Sequence, residues 1–234
     1  GTLTGGSQQT QFLISGNYRS ESTVFPGDFL YQKGGSRFNL NHRSLDNKFQ
    51  IVFSAGFTLQ DNDQTAQDLT NITALAPNAP ALYDANGNLN WENSTWDNPL
   101  RNLLTKQQSN TKDLLANTTI SYEISKNLTL KSSFGYTDLQ HTENRSIPST
   151  FYNPAFGYTS QNASLFLTNS KRNSWIMEPQ LNWEKEFLGG KFNVLFGATF
   201  QQQQGSRLAQ MGTGFSSNNL ITDLSSATTK QVLL

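Results

Sequence analysis

Apolar residues in this chain recur at every second position in segments of roughly ten residues, the period of a strand with two unlike faces. In KFNVLFGATF (residues 191–200), Phe192, Val194, Phe196, Ala198 and Phe200 share one parity, and Asn193, Leu195, Gly197 and Thr199 the other. The same alternation runs through Phe12–Tyr18, Phe38–His42, Phe49–Leu59, Leu114–Ile124, Leu128–Tyr136 and Trp175–Trp183. It predicts an all-β fold of about seven strands. Each is close to the 9 to 11 residues that a tilted strand needs to cross a bilayer, whereas ordinary soluble strands average about 5 to 6.

The predicted connections alternate in length. SLDNK (44–48), SKN (125–127) and LGGK (188–191) are tight turns rich in residues that tolerate hairpin geometry. Residues 19–36, 61–112 and 138–173 are expected to be long loops. Short turns at one end and long loops at the other define an antiparallel up-and-down meander of the outer-membrane barrel kind, with periplasmic turns and extracellular loops. A basic side chain on the lipid face near the bilayer midplane costs about 2 to 4 kcal/mol. The apolar parity of all seven segments is free of Lys, Arg, Asp and Glu, while Arg37, Arg43, Glu123, Lys131, Glu178 and Glu184 lie on the other parity. Tyr18, Tyr122, Tyr136, Trp175, Trp183 and Phe200 fall near segment ends, as interfacial aromatics do. Pro179 cannot donate to a ladder and is read as a bulge. The expected unit is therefore a segment of a large transmembrane β-barrel. The alternative is a secreted or surface-exposed soluble β-rich carbohydrate-binding module that buries the same parity internally.

Composition narrows the classes further. Only 35% of residues are hydrophobic, mean hydropathy is -0.54, and no run approaches the ~18 apolar residues of a spanning helix. The 17 basic residues equal the 17 acidic ones without a basic block, so no nucleic-acid surface is expected. Cysteine is absent, which removes disulfides and thiolate-held metals. The first residues, GTLTGGSQQT, do not form an export signal. Gly-rich phosphate loops, G-x-S-x-G and H-E-x-x-H are all missing, so no catalytic residue, cofactor or metal site is expected.

Several stretches, taken in order, carry a family resemblance: ISGNYRSESTVFPGDFLYQKGG, APNAPALYDANGNLNWEN followed by NPLRNLL, NLTLKSSFGYT, SWIMEPQLNWEKEF and FNVLFGATFQQQ. Together they resemble the barrel of SusC/RagA-type TonB-linked outer-membrane transporters of Gram-negative bacteria. The resemblance implies a plugged barrel of about 22 strands, surrounded by outer-membrane lipid. It also implies a SusD-like surface lipoprotein over the outer mouth, a glycan or peptide substrate, and energy from TonB acting on the plug. These 234 residues hold neither a plug nor enough strands for such a barrel, so residues 1–234 are expected to be a partial barrel domain. An excised sheet would have bare edges and is expected to curl or pair with copies.

Candidate contacts lie in the long loops. Tyr83, Trp91 and Trp96 stand among Asn93 and Asp97, and the later loop offers Tyr152 and Tyr158 beside Phe151 and Phe156. Flat aromatics next to amides and carboxylates suit sugar rings and hydroxyls; the same residues also suit packing of a loop against itself or a partner. Asp84, Asn86 and Asn88 alternate like calcium ligands, but the EF-hand spacing of glycine and acid is absent, which leaves Asn86-Gly87 as a hairpin turn. His42 falls on an apolar parity and His141 is expected to begin a loop. Five Asn-x-Ser/Thr triplets, at Asn71, Asn93, Asn117, Asn127 and Asn162, reflect composition alone.

Overall fold

The computed structural model describes residues 1–70 and 74–233; the triplet at Asn71 lies outside them. Ten strands form one antiparallel sheet. They are β1 (Thr2–Gly6), β2 (Thr10–Ser22), β3 (Leu30–Arg43), β4 (Phe49–Gln64), β5 (Lys106–Ser125), β6 (Leu128–Ile147), β7 (Ser164–Phe187), β8 (Gly190–Gly197), β9 (Phe200–Thr213) and β10 (Thr229–Val232). Each strand pairs with its chain neighbour, apart from the β8/β9 junction, where both lie along β7. The sheet is open, with β1 and β10 at its edges.

Five expectations are corrected, on strand number, loop bounds, His141, Pro179 and Phe200. The strands number ten and not about seven because β1 and β10 are short and add little alternation, and because the predicted segment 191–200 is divided between β8 and the start of β9. The supposed loops 19–36 and 138–173 are largely strand: β2 continues to Ser22, β3 begins at Leu30, β6 continues to Ile147 and β7 begins at Ser164. The long connections shrink to 23–29, 65–105 and 148–163, and a fourth, 214–228, joins them at the same end. His141 accordingly sits within β6, its Nδ1 2.8 Å from the Thr111 hydroxyl.

Pro179 makes no bulge. Met177 pairs with Phe200 and Gln180 with Gly197, so the register is continuous across it. What breaks is the facing strand, which is interrupted between β8 and β9 opposite the proline. Ala198 N still donates to Pro179 O at 3.1 Å, but proline has no N–H to return the bond. The tight turns lie where the sequence predicts them. Asp46 folds 44–48 by accepting from the Ser44 hydroxyl at 2.6 Å and from Lys48 N at 3.1 Å. These bonds, the Ser44 hydroxyl foremost, lower its carboxyl pKa below the ordinary 3.8.

The ladder aligns the apolar parity into lateral rows. Phe12, Leu40, Phe53, Thr118, Phe134, Met177 and Phe200 form one row, which places Phe200 mid-band and not in a girdle. Tyr136 and Trp175 are directly paired in the next row towards the loops. From Phe49 to Leu59 the band spans about 33 Å along β4, or about 25 Å along the normal at an outer-membrane tilt of about 40°. Among the described residues no second layer covers either face. Phe134 is 41% exposed, Met177 42% and Phe200 53%. Total accessible area is 15275 Å², against about 10,500 Å² for a compact monomer of this mass. The buried apolar cluster of Ala163, Leu165, Phe215, Ile221 and Ala227 lies at the loop end.

The β7–β8 turn carries Leu188 at φ 50° and Gly189 at φ 75°. Positive φ at both central positions is the type I′ geometry that favours Asn-Gly, and a leucine there costs about 1 to 2 kcal/mol. Leu188→Asn is expected to stabilise the chain by about 1 kcal/mol, measured as a higher urea midpoint in detergent micelles.

Candidate functional site

Three long connections dock into one layer at the end of the sheet. Asn98 organises the first. Its amide is fully buried and donates to Leu82 O at 2.6 Å and Asn90 O at 2.9 Å, while its carbonyl accepts from Leu100 N at 3.0 Å. Ser94 Oγ bonds Asn153 Oδ1 at 3.4 Å across to the second connection. Asn218 reaches from the third to Ser149, accepting from its backbone N at 3.1 Å and donating to its hydroxyl at 2.9 Å. Gly212 makes room beneath: an added Cβ would stand 2.7 Å from Leu224 and 2.9 Å from Ala227.

The predicted contact residues divide into two groups. Trp91 and Asn93 line a cleft of about 500 Å³ together with Asp84, Glu92, Thr150 and Pro154, a volume in the range of ligand sites. Tyr152 and Tyr158 lie outside it in an edge-to-face aromatic chain. Phe151 and Tyr152 centroids are 5.2 Å apart at 89°, and Tyr152 and Tyr158 5.0 Å apart at 76°. Arg101 links the groups, with its guanidinium 4.7 Å from the Phe151 centroid and 2.7 Å from the Asp97 carboxylate. Asp97 is thus half of an ion pair that buttresses the loops. Trp96 is half-buried, and exposed Tyr83 forms a bridge with Leu89.

That bridge encloses the Asn86-Gly87 turn. Asp84 Oδ1 accepts from Asn86 N at 2.9 Å and Asn88 N at 2.8 Å, and Gly87 has φ 81°. These residues form a hairpin tip. Glu92 and Arg101 were not singled out from sequence. Arg101 carried a signal, as the single basic residue between 65 and 105; Glu92 carried none, because its position in the cleft depends on an unusual backbone. Glu92, Asn93 and Ser94 have φ of 43°, 55° and 73°, a left-handed turn of three non-glycine residues. It is held by Asn90 Oδ1 accepting from Glu92 N at 2.9 Å and by Ser94 N donating to Trp91 O at 2.8 Å.

Two loop carboxyls have pKa values below the ordinary 3.8. Asp68 is stabilised by the Thr70 hydroxyl and then the Thr70 N–H, and Asp223 by the Ser225 hydroxyl and then the Ser225 N–H. Both act as turn caps and neither lines the cleft.

A single antiparallel meander, with tight turns at one end and a packed loop layer at the other, is the fold of a β-barrel wall segment. No family model matches the chain, and no curated protein matches it. Among solved structures it is similar to the RagAB peptide importer in the closed-closed state (TM-score 0.73) and in the open-open state (TM-score 0.72). A structure of the RagAB peptide transporter gives a TM-score of 0.74. Identity is 16% in each case, over 99% of this chain and 28%, 27% and 28% of the matched chains respectively. The likeness is one of fold, and it coincides with the SusC/RagA-type resemblance of the motifs. The chain spans little more than a quarter of the length of the proteins it matches.

Asn98→Ala is expected to loosen the first loop by about 1 to 3 kcal/mol, since it strips buried carbonyls of their donor. Limited proteolysis should then cut within residues 82–98 faster than in the parent, while the sheet's urea midpoint stays unchanged.

Proposed function

We propose that the chain forms wall and external loops of a TonB-dependent nutrient importer in the outer membrane of a Gram-negative bacterium. Its apolar parity faces lipid, and its polar parity lines the lumen. The observation that carries this reading is the set of lateral apolar rows that stay exposed among the described residues. The segregation of tight turns from docked loops and the similarity to peptide importer structures support it. The chain's role is to bind and pass a solute and not to transform it. The substrate is an oligosaccharide or a peptide. A SusD-like lipoprotein sits over the loop layer, and TonB acts through a plug outside these residues.

Within this reading the cleft at Trp91 and Asn93 makes the first contact with solute. Tyr83, Trp96, Asp97, Tyr152 and Tyr158 contribute contact or hold the loops in place. Trp91 offers a flat face for a sugar ring or peptide side chain, and the amide of Asn93 supplies both donor and acceptor. The soluble alternative requires an interior for the band. The buried cluster that the chain does possess draws on its loops and the loop end of β7, away from the band.

The four tryptophans separate the two readings, since Trp175 and Trp183 lie on the band while Trp91 and Trp96 lie in a loop. In vesicles with brominated acyl chains, the Trp91→Phe/Trp96→Phe variant should be strongly quenched and the Trp175→Phe/Trp183→Phe variant should not. Equal emission from both variants with and without bromine would refute the lipid-facing band.

A further inference from the structure

We propose that Lys112 and Lys171 form a binding site for the phosphate of an anionic lipid headgroup at the loop-side boundary of the bilayer. The proposal rests on the membrane placement above. Both lysines are on the outward parity, and they share one lateral row with Tyr18, Gly34, Leu59, Gln140 and Ser206. Lys112 is the next outward-facing residue on the loop side of Leu114, which ends the band on β5. On the neighbouring strands the same row lies two steps beyond the paired Tyr136 and Trp175. The two lysines stand one and two outward positions beyond Leu114 and Trp175 on their own strands, at the edge of the band where hydrocarbon gives way to headgroups.

Lys112 and Lys171 flank Gln140, two strand spacings or about 10 Å apart. Their flexible stems let both ammoniums converge on one phosphate. Both are exposed, and neither joins any of the ion pairs among the described residues. The nearest carboxylates on this face are engaged by amides: Asp61 by Asn110, and Asp138 by Gln140 at 3.0 Å. Two cations side by side, neither held in an ion pair, attract an anion. Continuity with the apolar band selects a lipid-borne one, because acyl chains on the band deliver the headgroup to this row.

The test uses the chain refolded into vesicles of phosphatidylcholine mixed with phosphatidylglycerol, extracted in mild detergent and weighed with its retained lipid by native mass spectrometry. The parent should retain phosphatidylglycerol preferentially. Lys112→Gln/Lys171→Gln should lose about thirtyfold of that preference. Lys33→Gln, on the lumen-side parity, should keep it. Equal preference in the parent and the double variant would overturn the site, as would an equal loss in Lys33→Gln. Full displacement of the lipid by inorganic phosphate would reduce it to a free-anion site and overturn the lipid assignment. A parent that enters no vesicle would instead overturn the membrane placement, a separate failure from that of the lysine pair.

Discussion

A backbone N–H or C=O left unpaired in hydrocarbon costs several kcal/mol, so a sheet exposed to lipid must complete its ladder strand by strand. Under the proposed membrane placement, that requirement accounts for the regularity of the meander. Between β7 and the collinear β8 and β9, the register holds from Phe187–Gly190 to Ser164–Thr213. Pro179, in the middle of this run, forfeits one bond and keeps the other through Ala198 N. Retaining register preserves the faces, since a one-residue slip would carry Trp175, Met177 and Leu181 to the polar side and bring Glu178 and Glu184 to the apolar one.

Continuous register also turns isolated alternations into a surface. Phe134 beside Met177 and Tyr136 beside Trp175 are cross-strand pairs, each contributing a few tenths to about 1 kcal/mol. Their larger consequence is positional. The change from apolar to polar steps across adjacent strands: Leu59 ends the apolar run on β4, Leu114 ends it one row earlier on β5, and Tyr136 one row earlier still on β6. Lys112 and Lys171 flank Gln140 in one row, and beyond it the outward parity is Asp61, Asn110, Thr142 and Asn169. Past the band β5 and β6 are largely polar on both faces.

This change of polarity along a strand explains what was legible in the sequence. Where one face is apolar, as in Phe49–Leu59 or Leu114–Ile124, the two-residue period is plain and the strand is found. Beyond it, KQQSNTKD (106–113) and DLQHTENRSI (138–147) are polar on nearly every position. Those stretches read as loops although they are the outer halves of β5 and β6. Strand identity there comes from the neighbouring ladder and not from local pattern. The loop site was legible by residue type and not by arrangement: Trp91 and Asn93 line one cleft, whereas Tyr152 and Tyr158 stack apart from it. Tertiary contacts, Arg101 on Phe151 and Ser94 on Asn153, join the two groups.

The left-handed turn at Glu92–Ser94 shows why that cleft and the loop layer are one unit. Three successive L-residues at positive φ cost about 1 to 2 kcal/mol each, more than their local hydrogen bonds return. The deficit has to be met by the anchors on either side: Asn98 buried against Leu82 and Asn90, Ser94 against Asn153, and Arg101 between Asp97 and Phe151. Relaxing the turn would swing Glu92 and Asn93 away from the cleft, and releasing any anchor favours that relaxation. The geometry that presents Trp91, Glu92 and Asn93 therefore exists only while the first and second loops are docked, so movement of the second loop changes the contact surface offered by the first.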